Sequence, residues 1–149
     1  MMNQVGFPLL SITILLPLAG GLVALLLARR RRLVQVWALA VALADLALAG
    51  VLWGFFHYGR AAMQFVDRLP WIDSLGIAYH VGLDGISLPL LLLTAALGPA
   101  AVLLSWRFLA GRPEGEAAPY FFLLLALQTG VLGVFCAVDL VLFYIFWEA

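Results

Sequence analysis

Long apolar runs recur along this chain, and they constrain its fold more than any other feature. Runs of about 18 or more residues are long enough for an α-helix to cross the ~30 Å hydrocarbon core of a bilayer. Of the 149 residues, 66% are hydrophobic and 11% are charged, whereas about 25% are charged in an average soluble domain. A soluble domain of this length cannot bury so much apolar surface. The sequence therefore predicts an all-α, polytopic bundle of transmembrane helices.

Segments rich in charged residues, Gly and Pro separate the runs. We expect one membrane domain over 1–149, with four complete spans at about 9–28, 33–56, 86–106 and 120–137. The stretch 57–83 is expected to be an extramembrane loop. A single helix over the last ~30 residues would be ~45 Å long, too long for one ordinary span, so we expect a turn at Val138-Asp139. Residues 140–149 would then be the truncated start of a fifth span.

The arginines predict how the chain is oriented. All eight basic residues are arginines. Six of them follow the first and third spans, namely Arg29, Arg30, Arg31, Arg32, Arg107 and Arg112. The loop after the second span contains Arg60 and Arg68. Since cytoplasmic loops carry the excess of positive charge, the N-terminus and Asp139 are predicted to lie on the outer side.

Small residues at helical spacing predict two faces for close helix packing. They are Ala126, Gly130, Gly133 and Ala137 in the fourth span, and Ala38, Ala42 and Ala49 around Asp45 in the second. Asp45 is therefore expected on a packed face. Three roles are open for Asp45: a role in transport, an interhelical hydrogen bond, or that of a protonated structural carboxyl. Gln35, Gln128 and Thr129 are expected to form interhelical hydrogen bonds.

Glu148 is the acid that most needs an explanation. An acid near the bilayer centre costs about 2.5–3.5 kcal/mol on insertion scales. If the fifth helix starts near Asp139, Glu148 lies ~13.5 Å along its axis, close to mid-membrane. Tyr144 precedes Glu148 by one helical turn, so its phenol can donate a hydrogen bond to the carboxyl. The alternative is a solvated Glu148 at a membrane edge, which would require about ten residues to span the membrane.

A proton relay at Glu148 would need a cation. Desolvation favours the neutral carboxyl, and a nearby positive charge favours the ionised one, so a movable cation switches the group between holding and releasing a proton. The sequence contains no lysine, and its arginines belong to loops. We therefore expect the cation beyond residue 149 or in another subunit.

Motifs for cofactors are absent from the sequence. It has no Gly-rich phosphate loop, no Cys or His cluster with metal-ligand spacing and no catalytic triad. The single cysteine, Cys136, lies in an apolar stretch and is expected to be a packing residue. We expect no cofactor or metal on this chain, and no nucleic-acid binding.

Two stretches resemble the antiporter-like membrane subunits of respiratory complex I. Tyr79-His-Val-Gly-Leu-Asp-Gly-Ile-Ser87, followed by an apolar span that ends Leu104-Ser-Trp106, resembles the start of the third helix of that family. Val138-Asp-Leu-Val-Leu-Phe-Tyr-Ile-Phe-Trp-Glu148 resembles its fifth helix. The closest resemblance is to subunit M, the chain 4 type, and it covers the layout of the whole chain.

This resemblance implies an N-terminal fragment of a proton-translocating subunit of NADH:quinone oxidoreductase, built from inverted repeats. NADH and quinone would bind to other subunits, and the location would be the bacterial cytoplasmic (inner) membrane. Glu148 would take the proton-handling role, paired with a lysine of the seventh helix. Asp84 would belong to the turn before the third helix and Asp139 to the outer turn before the fifth, while Tyr144 and Asp45 are possible supporting residues.

Two other hypotheses about the function stay open at this point. A subunit of a multi-subunit Na⁺/H⁺ antiporter or of a membrane-bound hydrogenase would show a similar fifth-helix glutamate. A structural membrane protein, in which the acids only hold helices together, belongs to a different class.

Overall fold

The computed structural model describes residues 8–27, 30–60, 62–72, 74 and 76–148. Four helices in it are long and apolar enough to cross a membrane. They are α1 (Leu9–Leu26), α2 (Arg31–Phe55), α3 (Ser87–Leu109) and α4 (Ala117–Cys136), and a shorter α5 (Leu140–Glu148) follows. The predicted fold class, a helical transmembrane bundle, is confirmed. Arg29 and the predicted span ends at 28 and 149 lie outside the described residues.

Helix α1 packs along α4 and α2, and two local features explain how. Pro17 lies inside α1 and cannot donate a helical hydrogen bond. Close to it, the Leu18 backbone N–H donates to Thr129 Oγ1 of α4 at 2.9 Å, as expected for an interhelical bond of Thr129. On the α2 side, a Cβ on Gly20 would lie 2.5 Å from Val41 Cγ1. The absence of a side chain at Gly20 therefore lets α1 and α2 approach closely.

The predicted small-residue face of α2 is buried. Ala38, Ala42, Asp45 and Ala49 are all fully buried, and α2 packs against α1, α3 and α4. The prediction of a packed face on the second span is confirmed, and it places the Asp45 carboxyl inside the bundle.

Helix α5 is held against the small-residue face of α4. The Phe146 ring lies so close to Gly133 that a Cβ there would overlap it. Leu142 is buried on the same side of α5. The predicted face of the fourth span thus receives α5 at Gly133.

The stretch predicted as an extramembrane loop forms an antiparallel β-hairpin. Strand β1 (Gln64–Ile72) pairs with β2 (Ile77–Leu83). Gly76 in the connection has φ 68°, a left-handed conformation that glycine adopts without steric penalty. The bounding glycines and the β-branched and aromatic residues of both strands are the sequence signal for this hairpin.

Polar contacts join the hairpin to helix α1 and to the turn between α4 and α5. Asp67 Oδ2 accepts hydrogen bonds from the Ser11 hydroxyl at 2.7 Å and from the Ser11 backbone N–H at 3.2 Å. Val81 forms an isolated β-bridge with Ala137, and the Val138 N–H donates to the His80 carbonyl at 2.9 Å. The hairpin and the α4–α5 turn therefore lie on the same side of the bundle.

Candidate functional site

Asp139 determines where α5 begins. Its Oδ1 accepts hydrogen bonds from the backbone N–H groups of Val141 (2.9 Å) and Leu142 (3.1 Å), as a helix N-cap does. Its Oδ2 accepts from the Ala78 N–H of the hairpin at 3.4 Å. These backbone hydrogen bonds, that from Leu142 foremost, lower the pKa of the Asp139 carboxyl from its ordinary value. An ionised Asp139 thus ties the start of α5 to the hairpin.

Glu148 lies on the face of α5 that the bundle leaves uncovered. It is eight residues beyond Leu140, which places it roughly 12 Å along the helix axis. Val141, Tyr144 and Ile145 are exposed together with Glu148, at the spacing of a single helix face. Leu142 and Phe146 occupy the opposite face. The structure therefore presents the acid on an open apolar stripe.

Tyr144 shares this stripe with Glu148, and 62% of its surface is exposed. Among the residues that the structure describes, no hydrogen bond joins the Tyr144 hydroxyl to the Glu148 carboxyl. The two groups lie on the same side of one helix, and the hydrogen bond expected from the sequence is not formed here.

No cation faces Glu148 in the described part of the chain. The salt bridge found there joins Arg112 to Glu116 at 3.3 Å, next to the start of α4. Arg31 donates to the backbone carbonyls of Ala110 and Arg112. These arginines thus bind to groups at helix ends, on the side of the bundle opposite to the hairpin.

Asp84 accepts hydrogen bonds from residues at the start of α3. Its Oδ1 accepts from the Ser87 N–H at 2.6 Å, from the Ile86 N–H at 2.9 Å and from the Ser87 hydroxyl at 2.9 Å. The hydrogen bonds from Ser87 lower the pKa of the Asp84 carboxyl. All three bonds stay within the turn before α3, so Asp84 is engaged in the local backbone and lies outside the Glu148 stripe.

Asp45 and Gln128 meet inside the bundle. Gln128 Nε2 donates to Asp45 Oδ2 at 2.7 Å, which confirms the interhelical bond expected for Gln128. The other carboxyl oxygen of Asp45 is buried and has no hydrogen-bond partner among the described residues. A Cβ on Gly98 would lie 2.5 Å from Gln128 Oε1, so α3 makes room for the amide. For Gln35, the described residues offer no interhelical hydrogen bond.

The pairing of Asp45 with Gln128 was not foreseen. Depth along the helices is the signal that could have found it, because Asp45 lies ten residues before the end of α2 and Gln128 eight before the end of α4. Helices α2 and α4 run in the same direction, with both C-terminal ends next to the hairpin, so similar distances from these ends bring the two residues to one level of the membrane. Within the described residues, no three His, Cys, Asp or Glu side chains are grouped to hold a metal ion.

Comparison with known proteins gives a consistent result. No protein-family model matches the chain. It is 34% identical over 150 residues to NAD(P)H-quinone oxidoreductase chain 4 1 of Nostoc sp., covering 99% of this chain and 27% of the relative. It is 39% identical over 142 residues to F(420)H(2) dehydrogenase subunit M of Methanosarcina mazei, covering 95% of this chain and 28% of the relative.

A chloroplast relative agrees with these two. NAD(P)H-quinone oxidoreductase chain 4 of Mesostigma viride is 33% identical over 145 residues, covering 96% of this chain and 28% of the relative. The chain thus spans about a quarter of the length of the curated relatives it matches. The resemblance to the subunit M, or chain 4, type is confirmed.

Proposed function

Because the chain belongs to the family of NAD(P)H-quinone oxidoreductase chain 4 and F(420)H(2) dehydrogenase subunit M, we propose that it is part of a proton-translocating membrane subunit of NADH:quinone oxidoreductase. In this function, electron transfer in other subunits drives proton movement through the membrane part. NADH, quinone and the redox cofactors bind to those other subunits. The partners of this chain are membrane subunits and lipid, and nucleic acid is not among them.

The position of Glu148 is the observation that supports this function. The residue lies roughly 12 Å into a helix whose start is fixed by Asp139. It is exposed on an otherwise apolar stripe. A carboxylate on such a face is costly to keep in lipid, so a second protein surface with a cation is expected to cover it. Acids within transmembrane segments commonly belong to proton or ion pathways.

The chemistry at Glu148 is uptake and release of one proton. When the cation lies close, the ionised carboxylate is favoured and the proton leaves. When the cation moves away, desolvation favours the neutral acid, and the carboxylate takes a proton from the other side. Tyr144, one turn away, donates a hydrogen bond to the ionised form once the stripe is covered. The cation belongs to another segment of the full-length protein or to a neighbouring subunit.

The location follows from the same proposal. The chain lies in the bacterial cytoplasmic (inner) membrane, with its N-terminus on the outer side. The hairpin and the α4–α5 turn share that outer side, and Arg31 and Arg112 lie at the opposite end of the helices. This arrangement agrees with the excess of arginine on the cytoplasmic side.

Replacement of Glu148 by glutamine in the full-length protein tests the proposal. The assembled complex is reconstituted in liposomes, and quinone reduction and proton uptake are measured together. Glu148→Gln should lower the protons moved per electron severalfold while the complex still assembles and transfers electrons, because the amide cannot ionise. Glu116→Gln is the matched control, since it removes an exposed acid at a helix end. An unchanged proton-to-electron ratio in Glu148→Gln would refute the proposed role.

A further inference from the structure

The bundle interior contains a second ionisable group at the level of Glu148. Asp45 lies ten residues, roughly 15 Å, from the outer end of α2, and its partner Gln128 lies eight residues, roughly 12 Å, from the outer end of α4. Glu148 is roughly 12 Å from the outer end of α5. The hairpin contacts all three helix ends, because Gln64 exchanges two hydrogen bonds with the His57 backbone just after α2, and β2 contacts Ala137 and Val138 between α4 and α5. Asp45 is thus a buried acid deep in the membrane region.

The surroundings of Asp45 offer no charge to compensate an ionised carboxylate. Helices α1, α3 and α4 pack against α2. The titratable groups on these four helices, besides Asp45, are Arg31, Arg32, Arg107, Tyr120 and Cys136, all near helix ends. Helix α1, over its described length, carries none. A charge buried far from any counter-charge is strongly disfavoured in an apolar interior.

The hydrogen bonds of Asp45 are arranged asymmetrically. Oδ2 receives the Gln128 amide at 2.7 Å, whereas Oδ1 is buried with no acceptor or donor partner in the described part of the chain. Gly98 leaves room beneath the amide, which helps to keep Gln128 in this orientation. One oxygen thus has the environment of a carbonyl that accepts a hydrogen bond. The other is the position where a neutral acid carries its hydrogen.

We propose that Asp45 and Gln128 form a proton-binding site separate from Glu148. The ligand is a single proton, which binds Oδ1 of the Asp45 carboxylate and converts it into a carboxylic acid. Gln128 is the positioning residue, because its N–H donates to Oδ2 and fixes which oxygen takes the proton. The Asp45 side chain is then uncharged, which is the state that an apolar interior favours.

Infrared spectroscopy of the full-length protein in lipid tests this assignment. With a carbon-13 label on the aspartate side-chain carboxyl, a protonated acid shows an isotope-sensitive C=O band that a carboxylate lacks. At neutral pH we expect this band in the unaltered protein and its loss in Asp45→Asn. Asparagine keeps the shape and the acceptor for Gln128, so the variant should fold. Gln128→Leu should shift the band to higher frequency, because the C=O loses its hydrogen bond.

The control is Asp84→Asn, which removes an aspartate whose carboxylate is stabilised by backbone hydrogen bonds. It should leave the acid band unchanged. If Asp45→Asn instead removes only carboxylate intensity, Asp45 is ionised and the proposal is wrong. Glu148→Gln should not alter the labelled aspartate band either. The result is therefore independent of the proposed function of Glu148, and either proposal can fail alone.

Discussion

The candidate functional side chains are buried in helices α1–α4 and exposed in helix α5. In the four-helix part, Asp45, Gln128 and Thr129 are buried and hydrogen-bonded to a neighbouring helix. In α5, Glu148 and Tyr144 are exposed on a face that no described helix covers. The polar groups of α1–α4 therefore stabilise the packing of these helices against one another. Those of α5 are available to a second protein surface.

Helices α1–α4 and helix α5 are also held in place by different sets of contacts. Close helix approach connects α1 to α2 at Gly20, and α4 to α5 at Gly133. Helix α5 depends in addition on one carboxylate, Asp139, which caps it and contacts the hairpin. Over its described residues, Leu140–Glu148, helix α5 packs mainly against α4 and β2. Its position therefore rests on a few identifiable contacts, and these contacts can be altered one at a time.

Gly133→Val should separate α5 from the rest of the molecule, and we expect it to have the largest effect on stability. The added side chain would overlap the Phe146 ring, and overpacking of this kind costs about 1–3 kcal/mol. Thermal unfolding in detergent should show a lower Tm, and a cysteine pair across the α4–α5 contact should lose its cross-link.

Gly50→Ala is the control for Gly133→Val, because a Cβ at Gly50 would have no neighbouring atom within 4 Å. It should leave Tm close to that of the unaltered protein. Equal Tm values for the two variants would show that α5 does not depend on Gly133.

Gln128→Leu should disturb the four-helix part and leave α5 in place. The substitution removes the hydrogen bond to Asp45, and leaving a buried polar group unsatisfied costs about 1–3 kcal/mol. The Tm should fall, while the α4–α5 cross-link should persist. Gln128→Glu would bring a second acid next to Asp45 and should be at least as destabilising at neutral pH. Loss of the cross-link in Gln128→Leu would mean that the two regions unfold as one unit.

The sequence was most informative for the four-helix part. Apolar run length predicted its spans, and small-residue spacing predicted the buried faces around Asp45 and Gly133. Composition does not reveal pairing between helices, so the bond between Asp45 and Gln128 emerged only from the structure. The hairpin was missed because charged residues, glycines and a proline interrupt 57–83, which indicated a loop, although its strands have residues typical of β-structure. Helix α5 was predicted, but its exposed stripe depends on how Phe146 packs.

Asp139→Ala should loosen the first turn of α5 with a smaller effect than the two substitutions above, because alanine offers no side-chain acceptor for the Val141 and Leu142 N–H groups. Backbone hydrogen bonds lower the pKa of Asp139 in the folded protein, so its contribution to stability is present above the unfolded-state pKa of about 3.9 and is lost as pH falls through the lower folded value. Hydrogen exchange of the Val141 and Leu142 amides should be roughly fivefold faster in the variant. The acid-induced loss of protection at these amides should also become weaker, and an unchanged pH profile would exclude Asp139 as the cap.

Tyr144→Phe should have the smallest effect on stability and thereby separates folding from function. The hydroxyl is exposed and makes no hydrogen bond in the described part of the chain, so the change in the free energy of unfolding should stay within about 0.5 kcal/mol. In the assembled complex, the proton-to-electron ratio should fall, but less than in Glu148→Gln, because the phenol only supports the carboxylate. A stability loss as large as that of Gln128→Leu would show that the α5 stripe is packed like the interior of α1–α4. An unchanged proton-to-electron ratio would leave Glu148 as the acting residue on this face and remove Tyr144 from the mechanism.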